Sequence, residues 1–203
     1  LVHSGIPSDD KRAAVVKAAV AGGLNTVKSS SMGRLFDAVS AALGLADYNT
    51  YQGRCAMLLE NQAALAKRER KIPTELSFNE EVVEIENGSV TFFDPAPLWE
   101  KVTGEDKAAA ALGFHEAVIR IVERMSEKTG VETVILSGGC FANRLLLEGC
   151  VEALKGKGHA VYWNQALPPG DGGLAFGQAW YGMNTANERK SYVCSISGAC
   201  GNH

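Results

Sequence analysis

The chain has 203 residues, which at roughly 150 residues per domain makes one domain, or one with a small appendage. Hydrophobic residues make up 46% and charged residues 21%, ordinary globular usage that excludes a disordered, collagen-like or coiled-coil chain. The 20 basic and 23 acidic side chains leave a net charge of −3, so no global field draws the protein to nucleic acid or an anionic membrane, and only a local basic site is left open. No run approaches 18 apolar residues, and Leu1-Val2-His3-Ser4-Gly5 lacks the regions of a signal peptide, so a soluble, cytoplasmic protein is expected. The missing initial Met suggests a piece of something longer. Five cysteines, Cys55, Cys140, Cys150, Cys194 and Cys200, stand at scattered spacings without a CxxC pair, which predicts reduced, mostly buried thiols rather than a disulfide framework or zinc site.

A first helix is predicted from Asp9 to Ala21, with Ser8 as N-cap and Gly22-Gly23 as its stop. After Ser29-Ser30-Ser31, Met32, Leu35, Phe36, Val39, Ala42 and Leu43 recur at helical spacing until Gly44, and Asp37 falls off that stripe. A third helix spans Arg54 to Lys67, with Cys55, Leu58, Leu59, Gln62 and Leu65 on one side. The basic cluster Lys67, Arg68, Arg70 and Lys71 reads as a solvated helix end, with an anion site as its rival. Val83, Ile85, Val90 and Phe92 flank Asn87-Gly88, a hairpin signal, which Asp94-Pro95 closes. From Glu105 to Thr129 a long helix carries His115 on its apolar stripe, where a packed, hydrogen-bonded histidine outweighs a ligand.

Val134-Ile135-Leu136, the turn Ser137-Gly138-Gly139-Cys140 and a helix from Ala142 to Lys155 make half of a βαβ unit. A strand from His159 to Trp163 follows, and Pro168-Pro169-Gly170-Asp171-Gly172-Gly173 opens a last helix toward Tyr181. Residues 1–184 are therefore expected to fold, and 185–203 to form a disordered or artificial tail in which Tyr192, Val193 and Ile196 could pair as an edge strand.

Four places could carry chemistry. Gly138 and Gly139 stand between a strand and a helix, where backbone amides can approach a phosphate or simply make a turn. Asn143 sits at the helix start, able to reach a ligand there or to bond backbone. Asp171 is either an N-cap or a carboxylate exposed to a ligand or metal. Asp37 and Gly53, on residue type alone, read as a solvated aspartate and a turn.

In order along the chain, Ser29 to Val39 (SSSMGRLFDAV), Tyr51 to Glu60 (YQGRCAMLLE), Ser137 to Arg144 (SGGCFANR) and Pro168 to Gly173 (PPGDGG) resemble the C-terminal part of the HypF carbamoyltransferases of nickel–iron hydrogenase maturation. The resemblance covers roughly residues 10–183. It implies an α/β chain, helix-rich with a small mixed sheet, forming the C-terminal lobe of an actin-like, Hsp70-like ATPase (ASKHA) fold shared with the transferases that attach threonylcarbamoyl to tRNA. It also implies that Asp37 and Gly53 contact a nucleoside ribose, that Gly138, Gly139 and Asn143 contact the nucleotide, and that Asp171 binds a divalent metal, whether iron, zinc or magnesium. Such residue types suit those ligands: a carboxylate accepts from ribose hydroxyls, amides face phosphate, and carboxylate oxygen is a hard metal ligand.

The implied reaction is ATP-dependent carbamoyl transfer. ATP and carbamoyl phosphate yield a carbamoyl adenylate in the intact protein, and the carbamoyl group passes to the C-terminal cysteine of the partner HypE on the way to a cyanide ligand. No protein nucleophile is implied, and Cys140 is expected to be a packed residue. Gln52, Arg54 and Gly170 stand where the family usually has glutamate, glutamine and often asparagine. The family's two metal histidines, in His-x-x-x-His spacing, and its acylphosphatase-like, zinc-finger and adenylate-forming domains lie outside this chain, so the piece is expected to be inactive by itself. Two rivals stand beside this reading: a lobe of a tRNA-acting transferase, disfavoured without a basic stripe, and a non-catalytic nucleotide-binding or interaction module that pairs with a second copy or a partner chain.

Overall fold

A computed structural model describes residues 11–24, 26, 27, 29–104 and 106–197. Helix α1 spans Lys11–Ala21; its proposed cap Ser8, like His3 and Cys200, lies outside the described residues. Helix α2, Met32–Ala42, begins where the Ser31 side chain accepts from the Arg34 amide, and it buries Phe36 and Val39. Helix α3, Arg54–Arg68, starts after Gly53, whose φ of 78° is left-handed. Its buried stripe is Cys55, Leu59, Ala63 and Ala66; Leu65, predicted on that side, is exposed. The small alanines face inward because α3 lies close against the longest inner helix.

Strands β1 (Asn79–Ile85) and β2 (Gly88–Asp94) form the expected antiparallel hairpin. The turn falls one residue early, on Glu86 and Asn87, and Gly88 opens the return strand with φ 141°. Neither turn residue takes a positive φ, so this is not the primed turn the Asn-Gly pair suggested. Asp94 ends the strand by accepting the Ala96 amide, ahead of the one-turn helix α4, Leu98–Lys101.

Helix α5, Lys107–Thr129, is the axis of the core. Asp106 caps it by accepting the Ala108 and Ala109 amides, and also pairs with Lys71 at 2.9 Å. Hence the basic cluster is a helix end, as expected, with Lys71 tied to the cap of α5; the Ala109 amide first, and then the Lys71 hydrogen bond, hold the Asp106 carboxyl low. The extended segment before β1 crosses α5 at Gly113, where a side-chain carbon would overlap the Thr74 carbonyl. Thr74 donates to Ala109 O and Arg120 to Leu76 O.

Strand β3 (Thr133–Leu136) leads through a 3-10 turn at Gly139–Ala142 into α6 (Arg144–Gly156), and β4 (Ala160–Trp163) returns parallel to β3. Gly149 lets α6 approach Ile119 of α5. The described β structure is thus two separate pairs, one antiparallel and one parallel, rather than a single mixed sheet. After a 3-10 turn at Asp171–Gly173, helix α7 runs Leu174–Ser197. It passes the expected boundary at residue 184, and Tyr192, Val193 and Ile196 lie in helical backbone, not an edge strand. Residues 198–203 lie outside the described part.

Candidate functional site

The four motifs converge. Asp37 on α2 accepts from Asn49 Nδ2 at 3.2 Å through Oδ1, and Asn49 Oδ1 in turn accepts the Cys55 amide at 2.8 Å. Asn49 therefore staples the first motif to the start of α3, just after Gly53. Glu60, two turns along α3, reaches across to α6 and accepts the Arg144 amide at 2.7 Å and the Leu145 amide at 3.4 Å. Gly33 at the start of α2 lies against Cys140, its absent Cβ only 4.0 Å from Sγ. The Gly138 amide donates to Pro169 O at 2.8 Å, and Gly170 packs on the Gly139 Cα. Gly138 has φ 101° and ψ 163°, a conformation only glycine holds comfortably.

Asp37 is not the solvated residue that residue type suggested. Its side chain is 19% exposed, and Oδ2 is buried without a hydrogen-bond donor. Arg34 Nη2 lies 3.1 Å from that oxygen, close enough for attraction though not aligned as a hydrogen bond; the missing directional bond is what matters for a ligand. The Arg34 side chain, 71% exposed, can swing aside to uncover it.

Asn143 is buried and spent internally. Oδ1 accepts the Leu146 amide at 2.9 Å, which caps α6, and Nδ2 lies 2.8 Å from His115 Nε2. His115 Nδ1 is 2.8 Å from Ala111 O. A carbonyl only accepts, so Nδ1 carries the proton and Nε2 accepts from Asn143. His115 is fully buried, edge-on to Phe36 and Phe114. Burial pushes it down to about 4, so it is the neutral core histidine the helical stripe predicted. The expected nucleotide contacts of Gly138 and Asn143 are correspondingly narrowed: the Gly138 amide and the Asn143 carbonyl are already used. Gly139 and Cys140, first in the 3-10 turn, have no carbonyl of their own turn within reach, and nothing would crowd a Cβ at Gly139.

Cys140 is half-buried and its thiol is raised by burial, consistent with a packed residue; Cys55 and Cys150 are buried free thiols, the latter pushed up to about 12. Asp171 is exposed and does not act as a helix cap by its side chain. No cluster of three potential metal-ligating side chains occurs among the described residues. One exposed carboxylate does not make a metal site, so these residues do not by themselves fit a metal.

Glu60 and Asn49 escaped the sequence reading because their partners are distant or sit in irregular backbone; the only signal was that both fall in or beside the first two motifs. A cleft of about 370 Å³ between the hairpin and α5 lies elsewhere, lined by Phe78, Phe93 and Ile121 with Glu80, Arg124 and Lys157. Its charges pair with one another or with neighbouring groups, Glu80 with Arg124 and Lys157 with Glu127.

Fold and site together define a helix-rich α/β lobe of the actin-like ATPase type, with its glycine turns gathered on one side. The chain belongs to the HypF carbamoyltransferase family, because the family model described as "Carbamoyltransferase, Kae1-like Domain, second subdomain" matches residues 2–178. It is 32% identical to the carbamoyltransferase HypF of Synechocystis over 82% of this chain and 20% of that protein. It is 36% identical to HypF of Rhodobacter capsulatus over 77% of this chain and 20% of that protein. A crystal structure of full-length HypF in its phosphate- and nucleotide-bound form superposes with a TM-score of 0.68 at 31% identity, over 84% of this chain and 23% of that one. HypF of T. kodakarensis superposes at 0.66 with 28% identity, over 86% and 22%. The chain thus spans about a fifth of the length of most of the curated relatives it matches.

Proposed function

We propose that this subdomain supplies one wall of the nucleotide site of a HypF-type carbamoyltransferase, cytoplasmic, in which ATP and carbamoyl phosphate yield a carbamoyl adenylate. The carbamoyl group then passes to the C-terminal cysteine thiolate of HypE, toward a cyanide ligand. The observation that carries the reading is the buried Oδ2 of Asp37, which faces the Arg34 guanidinium but accepts no hydrogen bond, on a carboxylate that Asn49 ties through Oδ1 to the start of α3 just after Gly53. A carboxylate oxygen lacking a donor there suits a ribose hydroxyl, and the left-handed, side-chain-free Gly53 lets the sugar come close. The Gly139 and Cys140 amides suit the phosphate that follows. The phosphate- and nucleotide-bound form of full-length HypF supports a nucleotide in this family. Asp171, exposed beside that turn, would be a single metal ligand needing others from the rest of the enzyme.

In this reading the remaining wall belongs to other domains of a HypF-type protein, of whose length this chain spans about a fifth. On the parallel pair, Ile135 and Tyr162 face outward together, 72% and 61% exposed, and Leu174, Phe176 and Trp180 of α7 are exposed as well. Exposed apolar surfaces of this kind suit burial against a neighbouring lobe, and the short span relative to known HypF proteins provides for one.

The test is calorimetric titration of ATP with Mg²⁺ into the full-length enzyme and its Asp37→Ala variant. Loss of hydrogen bonds to a charged acceptor should weaken binding about 10- to 100-fold, with the folded state retained by circular dichroism. Unchanged affinity would remove Asp37 from the nucleotide site and with it the main support for this reading.

A further inference from the structure

We infer that Glu60 and His115 are positioning residues that brace the glycine turn, and that Asn143 belongs to the same brace rather than to the ligand's contacts. The inference rests on the nucleotide reading above but is carried by separate atoms. The first three amides of α6, which would otherwise make an anion site, are all taken: Arg144 and Leu145 by the Glu60 carboxylate, Leu146 by Asn143 Oδ1. Asn143 cannot turn toward a ligand without uncapping α6, and its amide is locked by His115, whose other nitrogen is locked by Ala111 O. The chain of bonds has one consistent set of donors. Ala111 O accepts from Nδ1–H, Nε2 accepts from Asn143, and Oδ1 accepts from Leu146.

This fixes the backbone that immediately precedes α6. Asn143 N donates to Cys140 O at 3.1 Å and Phe141 N to Gly138 O at 3.0 Å, while Gly138 is tied to Pro169. With the α6 amides spent and Gly138 engaged, Gly139 and Cys140 are the amides of this segment left without a hydrogen bond and so available to a ligand. Glu60 matters twice: it orders the turn, and as a carboxylate at a helix N-terminus it opposes a second anion there. A phosphate is therefore directed to the 3-10 turn and away from the helix end. Neither Glu60 nor His115 stood out in the sequence for this role, because each acts across 28 or more residues of chain.

The experiment uses four variants of the full-length enzyme. Glu60→Met and His115→Phe keep volume but remove the acceptor; Glu60→Gln and His115→Gln keep an acceptor oxygen near the same place. Two readouts are taken: amide hydrogen exchange over residues 138–147, and the Kd for ATP with Mg²⁺. Glu60→Met, which loses two bonds, and His115→Phe, which loses one acceptor, should speed exchange in this window and raise Kd, each about tenfold or more, and the two Gln variants should return both to within about threefold. Exchange unchanged in Glu60→Met overturns the brace, and this variant decides if His115→Phe does not fold. Faster exchange with Kd unchanged overturns the positioning role. If the unaltered enzyme binds no nucleotide, the functional reading of the previous subsection falls, and exchange decides the brace.

Discussion

The two halves of α5 are held by different physics. Beyond its Asp106–Lys71 cap, its N-terminal half is clasped by neutral groups: the half-buried Thr74 on Ala109 O, the buried His115–Asn143 pair, and the rings of Phe36 and Phe114. Its C-terminal half is held by charges in water, with Glu80 of the hairpin on Arg124 and Lys128, and Lys157 of the α6 end on Glu123 and Glu127. Dry hydrogen bonds are intolerant of displacement because each broken partner leaves a buried group unsatisfied, whereas wet ion pairs re-form in many geometries. The four motifs meet on the intolerant side. The hairpin, whose β1 residues are all exposed, sits on the tolerant one.

Perturbing the dry half should have the largest effect. Gly113→Val places a side chain into the Thr74 carbonyl, and overpacking where backbone meets helix costs about 3 kcal/mol or more. The expected outcome is a chain that fails to unfold cooperatively above room temperature, measured by circular dichroism melting. A variant melting within a few degrees of the parent would mean that the segment before β1 does not cross α5 at Gly113. Next comes Asn143→Ala, which removes a cap and leaves His115 Nε2 without its donor. A loss of about 2 kcal/mol is expected in urea titration, and an unchanged midpoint would mean that Asn143 neither caps α6 nor satisfies His115.

Acidity tests the same half more gently. His115 is held at about 4 when folded against about 6.5 when unfolded. Between those values the unfolded chain binds the extra proton, so stability falls as pH drops below 6.5 and the loss is complete below 4. The shift corresponds to roughly 3 kcal/mol at most. Denaturant titrations from pH 7 to 4.5 should show this slope in the parent and lose much of it in His115→Gln. An equal slope in both would assign the acid sensitivity to carboxylates instead.

The sequence carried the elements well where periodicity and punctuation agreed: α2 between Ser31 and Gly44, α5 to Gly130, and the strand, turn and helix around Ser137. It misplaced what depends on neighbours. Leu65 lost the inner face of α3 to Ala63 and Ala66 because close packing on α5 favours small residues, which hydrophobic patterning undervalues. The helical backbone of 185–197 was missed because it lacks an apolar stripe. At the site, the motifs marked segments that the fold links to one another, yet residue type could not reveal that the Gly138 amide and the Asn143 side chain are spent on internal hydrogen bonds. That depends on Pro169 and His115, both far away along the chain.

The smallest effect is expected on the wet half, and it separates the two by their response to salt. Glu80 is held below the ordinary carboxylate range, first by its hydrogen bond to Lys128 and then by that to Arg124. All three groups keep partial access to solvent, where pairing energy is screened within a Debye length of about 10 Å at 0.1 M salt. Glu80→Gln should therefore shift the melting midpoint slightly at low ionic strength and not measurably at 1 M salt, whereas the Asn143→Ala deficit should be the same at both. A salt-independent loss in Glu80→Gln would show that the hairpin is docked by packing rather than charge. The division of α5 into a dry half that sets geometry and a wet half that merely tethers would then have to be redrawn around the apolar contacts of Phe78 and Phe93.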